Sequence, residues 1–136
     1  MKEFDAKEVL ENAKTIAIVG LSDKEERASN RIGKYLKTVA KYQIIPVNPN
    51  VKEVFGEKSY KSLKDIPLEI DLDIVSVFRR SEHLKEIASD AVERGCKAFW
   101  AQLGIYDEEA VQILQKAEIA FTMNRCIFVE HRNNFY

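Results

Sequence analysis

Thr15-Ile16-Ala17-Ile18-Val19-Gly20-Leu21-Ser22 is the stretch from which the fold is read. Ile16–Val19 is an unbroken apolar run, rich in β-branched residues and closed by Gly20, the pattern of a strand buried on both faces. Gly20 permits a sharp turn or a close backbone approach. A polar loop follows with Ser22, Arg27, Ser29 and Arg31, and then Ile32, Leu36 and Val39 recur at helical spacing. That spacing predicts a helix over about Asn30–Lys41. A strand, a glycine-containing loop and a helix start form a natural anion site, because the free N–H groups point outward and the helix dipole favours negative charge. Two readings follow: a site for a nucleotide or other phosphate-bearing ligand, or a first βα unit that only begins a doubly wound sheet.

Outward from this unit the same alternation continues. Asp5 is placed to cap a short helix over 5–13 carrying Val9 and Leu10. Gln43–Val47 reads as a second strand running into Pro46-Val47-Asn48-Pro49, whose prolines end the ladder and stiffen the exit. Residues 51–67 are less regular, with a turn at Phe55-Gly56 and a helical turn between Ser59 and Ile66. Asp73–Phe78 is a third strand, with Arg79-Arg80 at its carboxyl end. Ser81 is placed to cap the next helix, and Gly95 to stop it. Lys97–Ala101 is a fourth strand leading to Gln102-Leu103-Gly104, Asp107 opens another helix, and Ile119–Met123 is a fifth strand before Asn124-Arg125-Cys126.

Strands alternating with helices predict a single Rossmann-like α/β domain over residues 1–136, with a parallel sheet of about five strands and helices on both faces. The expected strand order is 3-2-1-4-5, with the switch point beside strand one. In that arrangement the polar residues Ser22, Asn48, Arg79 and Gln102 all stand at strand carboxyl ends, where open α/β sheets bind ligands.

Composition narrows the classes. The chain has 136 residues, is 46% hydrophobic and 32% charged, and carries a net charge of −1, so bulk electrostatics favour neither nucleic acid nor an anionic membrane. No apolar run approaches the roughly 20 residues of a membrane span, and the first residues carry no apolar signal core. A cytoplasmic location is expected. Cys96 and Cys126 are too few for a disulfide framework and should be thiols there.

The dinucleotide fingerprint G-x-G-x-x-G requires a second glycine where Ser22 stands, and an acidic residue after strand two where Asn48-Pro49 stands. This disfavours NAD. An NADP-linked oxidoreductase or redox sensor stays open, because Arg27 or Arg31 can meet a 2′-phosphate. The P-loop pattern G-x-x-x-x-G-K-[ST] does not occur.

Six segments taken in order carry a resemblance: Val19-Gly20-Leu21-Ser22, Arg27-Ala28-Ser29, Ile45-Pro46-Val47-Asn48-Pro49, Val77-Phe78-Arg79-Arg80, Phe99-Trp100-Ala101-Gln102-Leu103-Gly104, and Asn124-Arg125-Cys126 with Glu130. Together they resemble the small stand-alone CoA-binding proteins, which are similar to the nucleotide-binding domain of the succinyl-CoA synthetase α subunit. The resemblance runs from about residue 10 to 132. It implies that coenzyme A or an acyl-CoA is the ligand, bound without catalysis by this chain. It further implies that Gly20, Leu21, Ser22, Arg27 and Ser29 hold the phosphates, that Asn48 and Pro49 lie near the adenosine, and that Arg79, Trp100 and Gln102 line the site farther on. This chain departs from many relatives in carrying Glu25-Glu26 in the loop, where they have a proline. The synthetase's phosphohistidine has no counterpart, so ligase activity does not transfer. A CoA-binding subunit of a ligase assembled in trans is a further alternative.

Plainer roles compete at several positions. Arg79 and Arg80 can be solvated surface cations, and Trp100 can be core. Cys126 is either a small apolar side chain or a thiol able to pair with that of CoA. His83 and His131 are far apart in sequence. The near-helical spacing of Cys126, Glu130 and His131 has no second Cys or His cluster to complete a metal site.

Overall fold

The computed structural model describes residues 4–136; Met1–Glu3, the start of the stretch without an apolar signal core, lie outside them. The helices are α1 (Ala6–Asn12), α2 (Ala28–Thr38), α3 (Leu84–Arg94), α4 (Glu108–Lys116) and α5 (Ile127–Phe135). The strands are β1 (Thr15–Val19), β2 (Gln43–Val47), β3 (Glu53–Val54), β4 (Glu57–Lys58), β5 (Ile74–Val77), β6 (Ala98–Ala101) and β7 (Ala120–Thr122). Five strands form a parallel sheet in the order β2-β1-β5-β6-β7, and β3 and β4 form a separate antiparallel pair. Among the described residues no helix is long and apolar enough to cross a membrane.

The order corrects the expected 3-2-1-4-5. The third long strand, β5, pairs with β1 rather than outside β2. Pro46 supplies the physical reason: it lies within β2, opposite Ile18, and has no N–H for a second ladder. Its carbonyl points outward and accepts the Tyr60 N–H at 3.0 Å. β2 is therefore an edge strand, and the switch point lies between β1 and β5.

The sheet separates two apolar layers. Ala17, Val19, Ile45, Val75, Val77 and Phe99 face α3 and α4. Ile16, Ile18, Ile44, Ile74 and Trp100 pack with Leu10 of α1, Leu36 of α2 and Ile127 of α5. Strands covered on both faces read as continuous apolar runs rather than alternating ones, as β1 and β6 do.

Helix ends follow local chemistry. Asp5 and Asp107 accept the Glu8 and Ala110 N–H groups at 3.1 and 2.9 Å. Gly95 ends α3 at φ +94°. Ser81 does not cap α3: it begins a 3-10 turn, and its hydroxyl accepts the Tyr106 N–H at 3.0 Å. Phe55 and Gly56, at φ +57° and +78°, form the two-residue turn between β3 and β4.

Candidate functional site

Gly20 leaves β1 at φ +88°, a region that costs any residue with a Cβ. A Cβ there would lie 2.7 Å from the Phe78 carbonyl oxygen and 3.0 Å from Arg79 Cδ. The chains leaving β1 and β5 thus cross in near contact at the switch point, and only glycine fits.

The loop beyond is held by its own polar groups. Ser29 Oγ accepts the Ser22 N–H at 3.0 Å, and Asn30 Nδ2 donates to the Ser22 carbonyl at 2.9 Å. Asn48 ties in the loop after β2: its Nδ2 donates to the Leu21 carbonyl at 3.0 Å, and its Oδ1 accepts the Asn50 N–H at 2.9 Å. α2 starts at Arg27 with no side-chain cap. The N–H groups of Ala28 and Ser29 have no protein partner among the described residues.

These elements enclose a cleft of about 700 Å³ between the loops after β1 and β2, with Phe78 on its wall. Of the residues expected at a site, Gly20, Ser22, Arg27, Ser29 and Asn48 line it, joined by Asp23, Lys24, Asn50 and Val51. Lys24 and Arg27 bring positive charge, and the uncapped start of α2 adds its dipole. Arg31 does not line the cleft; its guanidinium donates to the Glu26 carbonyl at 2.6 Å.

The remaining expected residues are dispersed. Leu21 contributes only backbone, because its side chain is buried beneath α2. Pro49 and Arg79 line a smaller cleft of about 150 Å³ toward α3, with Ser62, His83 and Glu86. Gln102 lies at the start of α5, its Oε1 accepting the Ile127 N–H at 3.3 Å. Cys126 is half-buried at the N-cap of the same helix.

Trp100 requires a correction. It does not wall a pocket: it is fully buried and its indole N–H donates to the Arg125 carbonyl at 3.0 Å. Alternation along β6 sends Phe99 to one layer and Trp100 to the other. There Phe4 packs edge-on against the indole. Arg125 stands over it and pairs with Glu130 at 2.7 Å. Glu130 and His131 are thereby separately engaged, His131 with Tyr35 at 2.9 Å.

Asn30 was a missed contributor. Its place at the start of a helix, eight residues after Ser22, was the available signal.

The family profile described as a CoA binding domain matches residues 14–132. The chain belongs to the CoA-binding domain family. It is 44% identical over 127 residues to the uncharacterized protein YneT of Bacillus subtilis, covering 93% of this chain and 92% of that protein. It is 35% identical over 86 residues to the acetate–CoA ligase (ADP-forming) II subunit alpha of Pyrococcus furiosus, covering 63% of this chain but 18% of that subunit. A solved structure of a hypothetical protein from Pyrococcus horikoshii OT3 superposes with a TM-score of 0.89 at 34% identity, over 100% of both chains. This CoA-binding domain thus corresponds to a small part of the ligase subunit.

Proposed function

We propose that this chain binds coenzyme A or an acyl-CoA, and that it performs no catalysis of its own. The observation that carries the reading is the cleft at the switch point. It is a roomy, cation-lined space where Gly20 brings two loops together and α2 offers unpaired N–H groups. Anionic phosphates suit that position. In this reading the phosphates meet Ser22, Lys24, Arg27 and the start of α2. The adenosine lies toward Asn48 and Pro49, and the pantetheine arm extends past Arg79 toward Gln102 and Cys126. The family membership supports the same ligand.

The dinucleotide alternative is weaker. Both polar atoms of Asn48 are spent on the loops, where an NAD site needs a carboxylate for the ribose. Of the two arginines able to meet a 2′-phosphate, Arg31 is turned to the Glu26 carbonyl.

Calorimetric titration of ligand-stripped protein with CoA, NADP and NAD tests the proposal. Micromolar or tighter CoA binding, with both dinucleotides silent, is expected. Ser22→Asp, which sets a charge against the phosphates, should abolish it. Binding of NADP alone would overturn the proposal.

A second reading has one observation in its favour: the Pyrococcus furiosus relative is a subunit of a CoA ligase. The chain would then supply a CoA site to an enzyme completed by another polypeptide. A co-purifying chain with an ATP-grasp-like domain is the finding that would favour it.

A further inference from the structure

At the opposite end of β1, a cavity of about 430 Å³ opens between the ends of α1 and α5 and the segment entering β2. Its volume falls in the range of small-molecule sites, roughly 300–1,000 Å³. Leu10, Ala13, Tyr42 and Phe135 give it an apolar and aromatic lining. Lys14 and Lys41 stand on its wall, and neither forms an ion pair among the described residues. Glu11 is the opposing side-chain charge, so the lining side chains carry one net positive charge, two lysines against one glutamate, and Tyr136 completes the lining.

The decisive group is His131, which lines the cavity while only 5% exposed. Its Nδ1 lies 2.9 Å from the Tyr35 hydroxyl. That hydroxyl has no other hydrogen-bond partner among the described residues, and Nδ1 is the acceptor in the tautomer where it donates its proton there. The neutral ring then carries its own proton on Nε2, and burial lowers the pKa of His131, which favours that neutral form. Nε2 has no protein partner among the described residues, yet Ser76 Oγ is the one fully enclosed side-chain polar atom there that lacks one. Nε2 therefore reaches open space, and the open space beside the ring is this cavity.

An N–H donor on a nearly buried wall, two ammonium groups and an aromatic lining share one complement. We propose that this cavity binds a small monocarboxylate with an aromatic or compact apolar body. Its carboxylate would accept from His131 Nε2 and face Lys14 and Lys41, and its apolar body would lie against Leu10, Tyr42 and Phe135. A phosphoryl dianion fits less well, because the apolar and aromatic lining and Glu11 disfavour a second negative charge. The site is separate from the switch-point cleft, at the other end of the same strands, and does not depend on what that cleft binds.

The test uses the two histidines as paired reporters, since His83 lies toward α3, lining the small cleft there. Phenylacetate is titrated into the full chain while the imidazole proton–carbon signals are followed. Saturable movement of the His131 signals at sub-millimolar to low-millimolar concentration, with His83 still, is expected. Benzyl alcohol should bind at least tenfold more weakly, and Lys14→Glu with Lys41→Glu should weaken phenylacetate at least tenfold while leaving the spectrum folded. Ala40→Trp, which fills the cavity from its lining, should abolish the response. Linear, unsaturable shifts would overturn the proposal. So would an affinity unchanged in the lysine double variant, or displacement of phenylacetate by CoA.

Discussion

The two ends of the inner strands treat their polar groups in opposite ways. Below β1, β5 and β6, one carboxylate gathers the chain: Asp73 Oδ2 accepts the Lys14 and Thr15 N–H groups at 2.8 and 3.0 Å, and Oδ1 pairs with Lys97 at 3.0 Å. Above them, hydrogen bonds from Asn30 and Asn48 and to Ser29 fix the loops but leave helix-start N–H groups and two cations facing a cleft. The groups that Asp73 takes up hold the sheet together, while groups held in place yet unconsumed around the switch-point cleft can take a ligand. Substitutions at the two ends should accordingly separate stability from binding.

Gly20→Val should have the largest effect, because it strikes both. A non-glycine residue at φ +88° costs about 1–3 kcal/mol in backbone strain alone. The new Cβ also meets the Phe78 carbonyl, which is backbone and cannot turn aside. CoA affinity should fall at least a hundredfold, with a lower midpoint of thermal unfolding. Retained binding would remove the cleft from consideration.

Asp73→Ala should separate the two ends most cleanly. It leaves two N–H groups without acceptors, each costing about 1–3 kcal/mol when buried. A loss of about 3 kcal/mol in denaturant unfolding is expected, with CoA affinity within twofold of the parent. The carboxylate also gives stability a pH dependence. Burial alone would raise its pKa, but the Lys14 and Thr15 N–H groups and Lys97 together outweigh that and hold it below the usual carboxylate range. A folded-state pKa below the unfolded one means that the contribution is present above the unfolded value, about 3.9, and is lost as pH falls through the folded value. Parent protein should therefore lose more stability than Asp73→Asn on acidification below about pH 4. Equal acid slopes would show that Asp73 does not hold this end.

How much of this was legible depended on range in sequence. β1, β2, β5 and β6 are apolar runs bounded by turn residues, and each is found within a residue of its expected limits. That Gly20, Ser22 and Asn48 share one cleft is legible because strand ends in an open α/β sheet are where loops converge. Strand order departs from the expected one although Pro46 carries the correction, since a residue without an N–H belongs on an edge. The side toward which Trp100 points depends on the pleat of a strand whose register is set by β5, 24 residues earlier in the Trp100–Ser76 pair. Asp73 gathers Thr15 from 58 residues away, and no local pattern marks such a contact.

Arg27→Ala should have a smaller and narrower effect. Arg27 is exposed and caps nothing with its side chain, so stability should stay within about 0.5 kcal/mol. CoA affinity should fall five- to twentyfold, about 1–2 kcal/mol, and the deficit should shrink as salt is raised, since exposed charges are screened. A salt-independent loss would mean that Arg27 shapes the loop instead of meeting phosphate.

The two thiols give the finest comparison, with the smallest expected effect on affinity. Burial pushes the Cys96 thiol up to about 11, against a lesser lowering by Arg94, which leaves roughly a thousandth of it as thiolate at pH 8. Cys126 is half-buried at the start of α5, beside the helix N–H that Gln102 accepts. Iodoacetamide at pH 8 should therefore alkylate Cys126 and spare Cys96, as read by intact mass and peptide mapping. If the pantetheine arm extends to this corner, saturating CoA slows that alkylation several-fold, and Cys126→Ser changes CoA affinity less than twofold. With CoA disulfide, the Cys126 thiolate would attack one sulfur and release CoA as a thiolate, leaving a mixed disulfide that Cys126→Ser cannot form. Equal alkylation rates with and without CoA, together with an adduct that persists in Cys126→Ser, would end the site at Gln102 and return Cys126 to a packing role.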